Sequence, residues 1–301
     1  MQWLQKIYWI LSSCYLVTSG MVLAQPFSDD FDTPNNLLND NATNWSVLGA
    51  GVMDERATQI EIVEGHLQVV PERFEFNGWF EDEYGPLVYQ NVTGNFVAMT
   101  RLQVFHPDND QLPPNVGFNA GGFVIRDAAG THNGDENWVM YNMGGQGVGD
   151  VTYSREVKKT VNSTSNLFLT EQIGLDEYLL VCRVGSHFYF YYWADAINDW
   201  REERYYNAFD VDGVLTTTWH NSSSVTPEVI PAGTGQSNQM FFNHAAMPAT
   251  VQVGVMGHTW SDDAIQANFD FVYFSQTPPN NQSECLQEFA IPDLIFADNF
   301  E

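Results

Sequence analysis

The chain has 301 residues, with 38 Asp and Glu against 11 Lys and Arg, a formal net charge of -27 at pH 7. A field of that sign repels nucleic acid and anionic membranes, so neither is expected as a partner. Strongly anionic polysaccharides are disfavoured too, unless a local basic patch or a bound cation intervenes.

Residues 1–24 read as a secretory signal peptide. Lys6 is the only charge before Asp29, an apolar stretch runs from Ile7 to Leu23, and Val22-Leu23-Ala24 supplies a cleavage site. Ser12, Ser13, Thr18, Ser19 and Gly20 weaken the stretch as a membrane span, which needs about 20 apolar residues. Leu11-Ser12-Ser13-Cys14 resembles a lipoprotein box, but the apolar run before it is shorter than the roughly 7 residues such a region needs. Cleavage after Ala24 therefore predicts a secreted or surface-displayed chain. No later run is long enough to make it membrane-embedded.

From residue 27 onward, short β-type runs are broken by turn residues: Gln59–Val63, His66–Val70, Asn95–Phe105, Gly122–Arg126, Trp138–Met143, Tyr178–Val184, His187–Trp193, Val251–Met256 and Ala267–Phe274. No sustained 3.6-residue period appears, so an all-β sandwich or barrel is expected, with residues 25–275 as one domain. The polar connectors Pro107–Asn119 and Asn207–Asn243 exceed hairpin loops and are expected to be functional or to carry extra short strands. "MGGQGVGD" at 143–150 has no helix behind it and reads as a flexible loop rather than a phosphate cradle. Residues 276–301 read as a linker, Gln276–Ser283, followed by a short tail.

The stretch "YLLVCRVGSHFYFYYWADAINDW", residues 178–200, is the most informative local pattern. Gly185-Ser186 fits a two-residue type II′ hairpin turn, which sets Val184 opposite His187 and Val181 opposite Phe190. Leu179, Val181, Phe188, Phe190 and Tyr192 then share one face, assigned to the core. Leu180, Cys182, Tyr189, Tyr191 and Trp193 share the other, which is either a ligand surface or a face covered by a long loop or the tail. Cys182 and Cys285 are able to pair in an oxidising compartment and tie the tail to the sheet; two separate thiols are the alternative.

"FSDDFD" at 27–32, "GPLVYQNVTGNFVAMTRLQV" at 85–104, "GGFVIRDAAG" at 121–130, "ENWVMYNMG" at 136–144, "YLLVCRVGSHFYFYY" and "VQVGVMGHTWSDDAIQANFDFVYF" at 251–274 follow in an order that resembles the concanavalin A-like lectin/glucanase superfamily. Within it the chain is most similar to laminin-G-like modules of secreted bacterial proteins. The resemblance implies a two-sheet antiparallel jelly-roll β-sandwich, one sheet concave and often holding a carbohydrate groove. It does not imply an activity, because the fold hosts lectins, hydrolases, lyases and adhesive modules. It also implies a structural Ca²⁺ where the first and last strands adjoin, with Asp30 and Asp270 as ligands; a solvated acidic cluster is the alternative reading. The tail "LIFADNFE" resembles C-terminal endings on exported proteins of some Gram-negative bacteria.

Catalytic signals are weak. Hydrolysis of a glycosidic bond needs two carboxylates about 5–10 Å apart. "QIEIVEGH" at 59–66 lacks the middle Asp of the superfamily's Glu-x-Asp-x-x-Glu, and Glu61 and Glu64 point to opposite faces of a strand. The seven histidines show no zinc-site spacing. A polysaccharide or glycan is the expected partner, with no catalytic residue assigned and no cofactor required, a structural calcium being the one the resemblance allows. Trp138, Tyr141, Arg126, Asn137, Trp193 and Trp200 are the candidate contacts, because sugar rings take aromatic platforms flanked by planar hydrogen-bonding groups. Alternation puts Trp138 and Tyr141 on opposite faces unless a bulge intervenes. A polysaccharide-degrading enzyme with a non-standard site and an adhesive surface module remain the other two readings.

Overall fold

The structure, a computed structural model of the chain, describes residues 26–38, 44–48, 56–73, 77–114, 117–146, 152–172, 174–205, 229–230, 238–260 and 264–289. The signal peptide read over residues 1–24 lies outside these, as does "LIFADNFE".

The strands are β1 (Asn35–Asn36), β2 (Ser46–Val47), β3 (Ala57–Val63), β4 (His66–Pro71), β5 (Val88–Thr93), β6 (Phe96–Phe105), β7 (Asn119–Arg126), β8 (Trp138–Gln146) and β9 (Thr152–Val161). They continue with β10 (Thr164–Gln172), β11 (Asp176–Val184), β12 (His187–Ala194), β13 (Asp199–Glu202), β14 (Arg204–Tyr205), β15 (Val229–Ile230), β16 (Asn238–Asn243), β17 (Thr250–His258) and β18 (Gln266–Phe274). One sheet of 11 strands runs β1-β3-β4-β18-β6-β11-β12-β16-β14, with β13 on β12 and β15 on β16; the other, of seven, runs β10-β9-β8-β7-β17-β5-β2. Neighbours pair antiparallel, as between β6 and β11 or β7 and β17. Among the described residues the only helical piece is the 3₁₀ turn Gln282–Glu284.

The two sheets pack face to face, and strand alternation decides what lies between them. The larger sheet contributes Leu67, Val69, Leu102, Val104, Leu179, Val181, Phe188, Phe190 and Phe269. The smaller contributes Phe123, Ile125, Val139, Tyr141, Val157, Val253 and Val255. This is the two-sheet antiparallel β-sandwich implied by the concanavalin A-like resemblance. None of the helices described is long and apolar enough to cross a membrane.

The 178–200 hairpin has the expected register, Val184 opposite His187 and Val181 opposite Phe190. Gly185 has φ 62° while Ser186 stays out of the left-handed region, as a type II′ turn requires. Its second face is roofed. Leu180, Cys182, Tyr191 and Trp200 are buried with Cys285 and Phe289 of the tail, and Tyr189 and Trp193 pack against them. The 276–283 stretch is held rather than loose: Asn95 Nδ2 donates to Pro279 O (2.7 Å), and Glu288 accepts from the amides of Gln276 (2.6 Å) and Thr277 (2.7 Å).

Of the long connectors, Asn207–Asn243 carries β15 and β16, and Pro107–Asn119 holds turns leading into β7. Two departures from the sequence reading matter for the site. Residues 143–146, expected in a flexible loop, extend β8, because Met143, Gly144 and Gly145 find partners in both β7 and β9. Strands β9 and β10, joined at Asn162-Ser163 with φ 46° and 61°, complete the sheet edge beside them.

Candidate functional site

The outer face of the seven-stranded sheet is crossed by residues 77–87. Asn77 and Thr259 exchange backbone hydrogen bonds (2.9 and 3.0 Å) at one end. At the other, the Glu81 amide donates to Ser165 Oγ (2.8 Å) and Gly134 N to Asp82 Oδ1 (2.8 Å). Between them Trp79 packs edge-on against Trp138 (6.0 Å between ring centres), in a cluster with Leu87, Val124, Met140 and Met256. This crossing segment turns part of an outer face into a second small core.

It also fixes the fate of the expected sugar contacts. Trp138 is fully buried beneath Trp79. Tyr141 sits on the opposite face of β8, as alternation requires, and donates its hydroxyl to Glu203 Oε1 (2.8 Å) in the interior; burial, then the Glu203 charge, pushes its pKa well above 10.0. Arg126 clamps Glu136 through two bonds (2.9 and 2.7 Å), with further donations to Gln252 and Gly130 O, and so ties down the 127–136 turn. Asn137 is buried in the same turn and accepts from Asn162 N (3.1 Å). Trp200 donates Nε1 to Phe289 O (2.7 Å) under the tail, and its partner Trp193 stands edge-on to it (5.6 Å) at the lip of a cleft. The six side chains thus serve four different places in the fold.

Asp270 lies between two donors: His66 Nδ1 is 2.9 Å from one carboxylate oxygen and Arg101 Nη1 3.1 Å from the other. Asp30 accepts from the Asp32 amide (3.4 Å). With both Asp270 oxygens facing cationic groups, this donor set does not fit a calcium ion, which takes six or more oxygens. Among the described residues no three His, Cys, Asp or Glu side chains converge as a metal site.

Next to the crossing segment, the same outer face carries polar groups that sequence reasoning missed. Pairing places Ser154, Gly144, Ala120 and His258 in one row across β9-β8-β7-β17, and Glu156, Asn142, Gly122 and Met256 in the next. The small residues in mid-row set these rows low on the outer face, a trough spanning three inter-strand steps, about 14 Å, whose polar members Ser154, Glu156, Asn142 and His258 are buried. Lys158 Nζ lies 2.8 Å from Glu156 Oε1 and donates to Trp79 O (3.0 Å). Neither oxygen of the buried Glu156 receives an aligned hydrogen bond, and Ser154 Oγ has no partner at all. His258 stays neutral, its pKa held well below 6.5 first by burial and then by the Lys158 charge. At the rim, half-buried Phe80 and Trp260 meet edge-to-face (5.4 Å), with Lys158 Nζ 5.8 Å from the Phe80 ring.

No family model and no curated protein matches the chain. Similar solved structures include a functionally unknown protein from Saccharomyces cerevisiae, at 11% identity over 78% of this chain and 97% of that one, TM-score 0.47. Xylan beta-1,4-xylosidase from Bacillus halodurans C-125 aligns at 15% identity over 84% of this chain and 40% of its own, TM-score 0.47, so this chain spans about two fifths of the xylosidase. A Lotus tetragonolobus seed lectin aligns at 10% identity over 83% of this chain and 100% of its own, TM-score 0.44. Likenesses at these identities concern fold alone.

Proposed function

We propose that the protein is a carbohydrate-binding β-sandwich, exported and displayed outside the cytoplasm, which takes its glycan in the trough beside Phe80 and Trp260. One observation carries the reading: buried Ser154 Oγ has no hydrogen-bond partner, and the buried Glu156 carboxylate beside it is held by the Lys158 ion pair with no aligned hydrogen bond. An unsatisfied buried polar group costs about 1–3 kcal/mol, which a ligand hydroxyl recovers when it binds. Sugar rings supply both the hydroxyls and an apolar face for the aromatic rim. The two rows of the trough hold one carboxylate, Glu156, whereas two-carboxylate hydrolysis needs a pair. Binding without turnover is therefore the reading these residues favour. The disulfide Cys182–Cys285 supports export to an oxidising compartment.

A neutral-glycan array probed with the purified protein tests this. Expected is saturable binding that weakens about tenfold or more in Glu156→Gln and Trp260→Ala, with no release of reducing ends or unsaturated products. Binding that both substitutions leave intact would remove the trough from the argument; product release would replace the binding reading with an enzymatic one.

A further inference from the structure

On the opposite side of the sandwich lies a cleft of about 310 Å³ lined by Arg101, Asp176, Glu177, Tyr178, Trp193 and Asp195. We propose that it binds an organic ammonium group, a protonated amine carried on an apolar or sugar scaffold. The inference is independent of the trough, since no residue is shared.

Strand pairing builds the walls. Arg101 on β6 pairs with Tyr178 on β11, the β11-β12 ladder ends at Leu179–Tyr192, next to Tyr178 and Trp193, which both line the cleft, and Trp193 pairs with Trp200. Guanidinium, phenol and indole thus follow one another across the outer face at the end where β11 begins and β12 ends. The charge balance is set by what Arg101 already holds. Its Nε and Nη2 grip the two oxygens of Asp176 (3.0 and 2.6 Å), and its Nη1 reaches Asp270 (3.1 Å). One cation is therefore committed to two carboxylates before any ligand arrives.

What remains is anionic. Asp195 is exposed in the turn after β12 and has no cationic partner among the described residues. Glu177 lies 3.4 Å from Arg155 Nη1, but that guanidinium is bound more closely by Glu203. Burial lifts the Glu177 carboxyl to about 7, Arg155 opposing, with Glu203, Asp195 and Asp176 adding to the rise. A compact cavity with an indole and a phenol for walls and the Asp195 carboxylate at its edge suits an ammonium group carried on an apolar body. Organic ammonium groups combine attraction to ring faces with a Coulomb term. An anion is repelled, and the three carboxylates do not converge as a metal site requires.

Cyclohexylammonium and cyclohexanol make the comparison, the same ring with and without the charge, titrated into the full protein by calorimetry near pH 8. The expected result is that the ammonium binds about tenfold or more tightly than the alcohol. Asp195→Asn, at an exposed turn position and with its fold checked by circular dichroism, should lose most of that preference, and Asp195→Glu should regain it. Lowering the pH to about 6 should weaken ammonium binding as Glu177 takes a proton, the alkylammonium staying charged throughout. Equal affinity for the two ligands, a preference unchanged by Asp195→Asn, or no saturable heat from the folded protein would each overturn the proposal. Glu156→Gln, in the trough, should leave this cleft unaffected, which separates its failure from that of the glycan reading.

Discussion

Cys182, in the middle of β11, is bonded to Cys285, 103 positions further along the sequence, with the Cα atoms 5.7 Å apart. The bond fastens the tail onto the outer face of the larger sheet, where Phe289 and Leu286 cover Leu180, Tyr191 and Trp200. Closing a loop of that length removes about 4–5 kcal/mol of freedom from the unfolded chain in the entropic account. Cys285→Ser should therefore lower Tm by roughly 10 °C or more by scanning calorimetry. It should also expose Trp200, whose Nε1 loses its Phe289 acceptor, and quenching of tryptophan fluorescence by iodide should rise. Unchanged quenching would mean that the tail holds its place without the bond.

A second prediction concerns the polar set enclosed between the sheets. Arg155 on β9 is bound by Glu203, faces Glu177, and lies over the Tyr192 ring at 3.6 Å, while Tyr141 donates to Glu203. Glu177 has its folded pKa raised from 4.5 to about 7. Between those values the folded chain holds a proton that the unfolded chain has released. The stability that protonated Glu177 supplies is thus complete below about 4.5 and lost as pH rises through about 7. The span amounts to on the order of 3 kcal/mol. Urea unfolding near pH 5 and near pH 8 should show a fall in stability that shrinks in Glu177→Gln; an equal fall in both proteins would place the titration elsewhere.

The same residues show where sequence reading stops. The hairpin around Gly185 was legible because its turn residues, its alternation and its apolar face all agree, and local chemistry there sets the register. Strand β9 was hidden by its charges. In "TYSREVKKTV", Arg155 faces the interior and Glu156 and Lys158 the outer face, so buried ions occupy both sides and the polar-apolar alternation that marks a strand is missing. The trough was illegible for the same reason, since its carboxylate and ammonium lie in that strand. Trp138 and Tyr141 carried the composition of a sugar platform, but whether an outer face is open depends on residues 77–87 crossing it, a long-range arrangement with no local signature. Of the six expected contacts, Trp193 borders a cleft.

The last prediction follows from Asp270, whose neighbours His66 and Arg101 take the place a metal would need. The Asp270 hydrogen bond raises the His66 pKa above 6.5 against the opposing effect of burial. Its stabilisation is therefore complete below 6.5 and lost as pH rises through the raised value. Because His66 is partly exposed, solvent screening keeps the contribution at about 1 kcal/mol or less. In an NMR titration Asp270→Asn should return the His66 imidazole toward 6.5, the unperturbed value. Neither EDTA nor millimolar calcium should move that titration or the melting temperature of the unmodified protein. A calcium ion bound at Asp270 would displace His66 and Arg101 from its oxygens, so a calcium-dependent fall in the His66 pKa would restore the metal reading and contradict the ion-pair geometry.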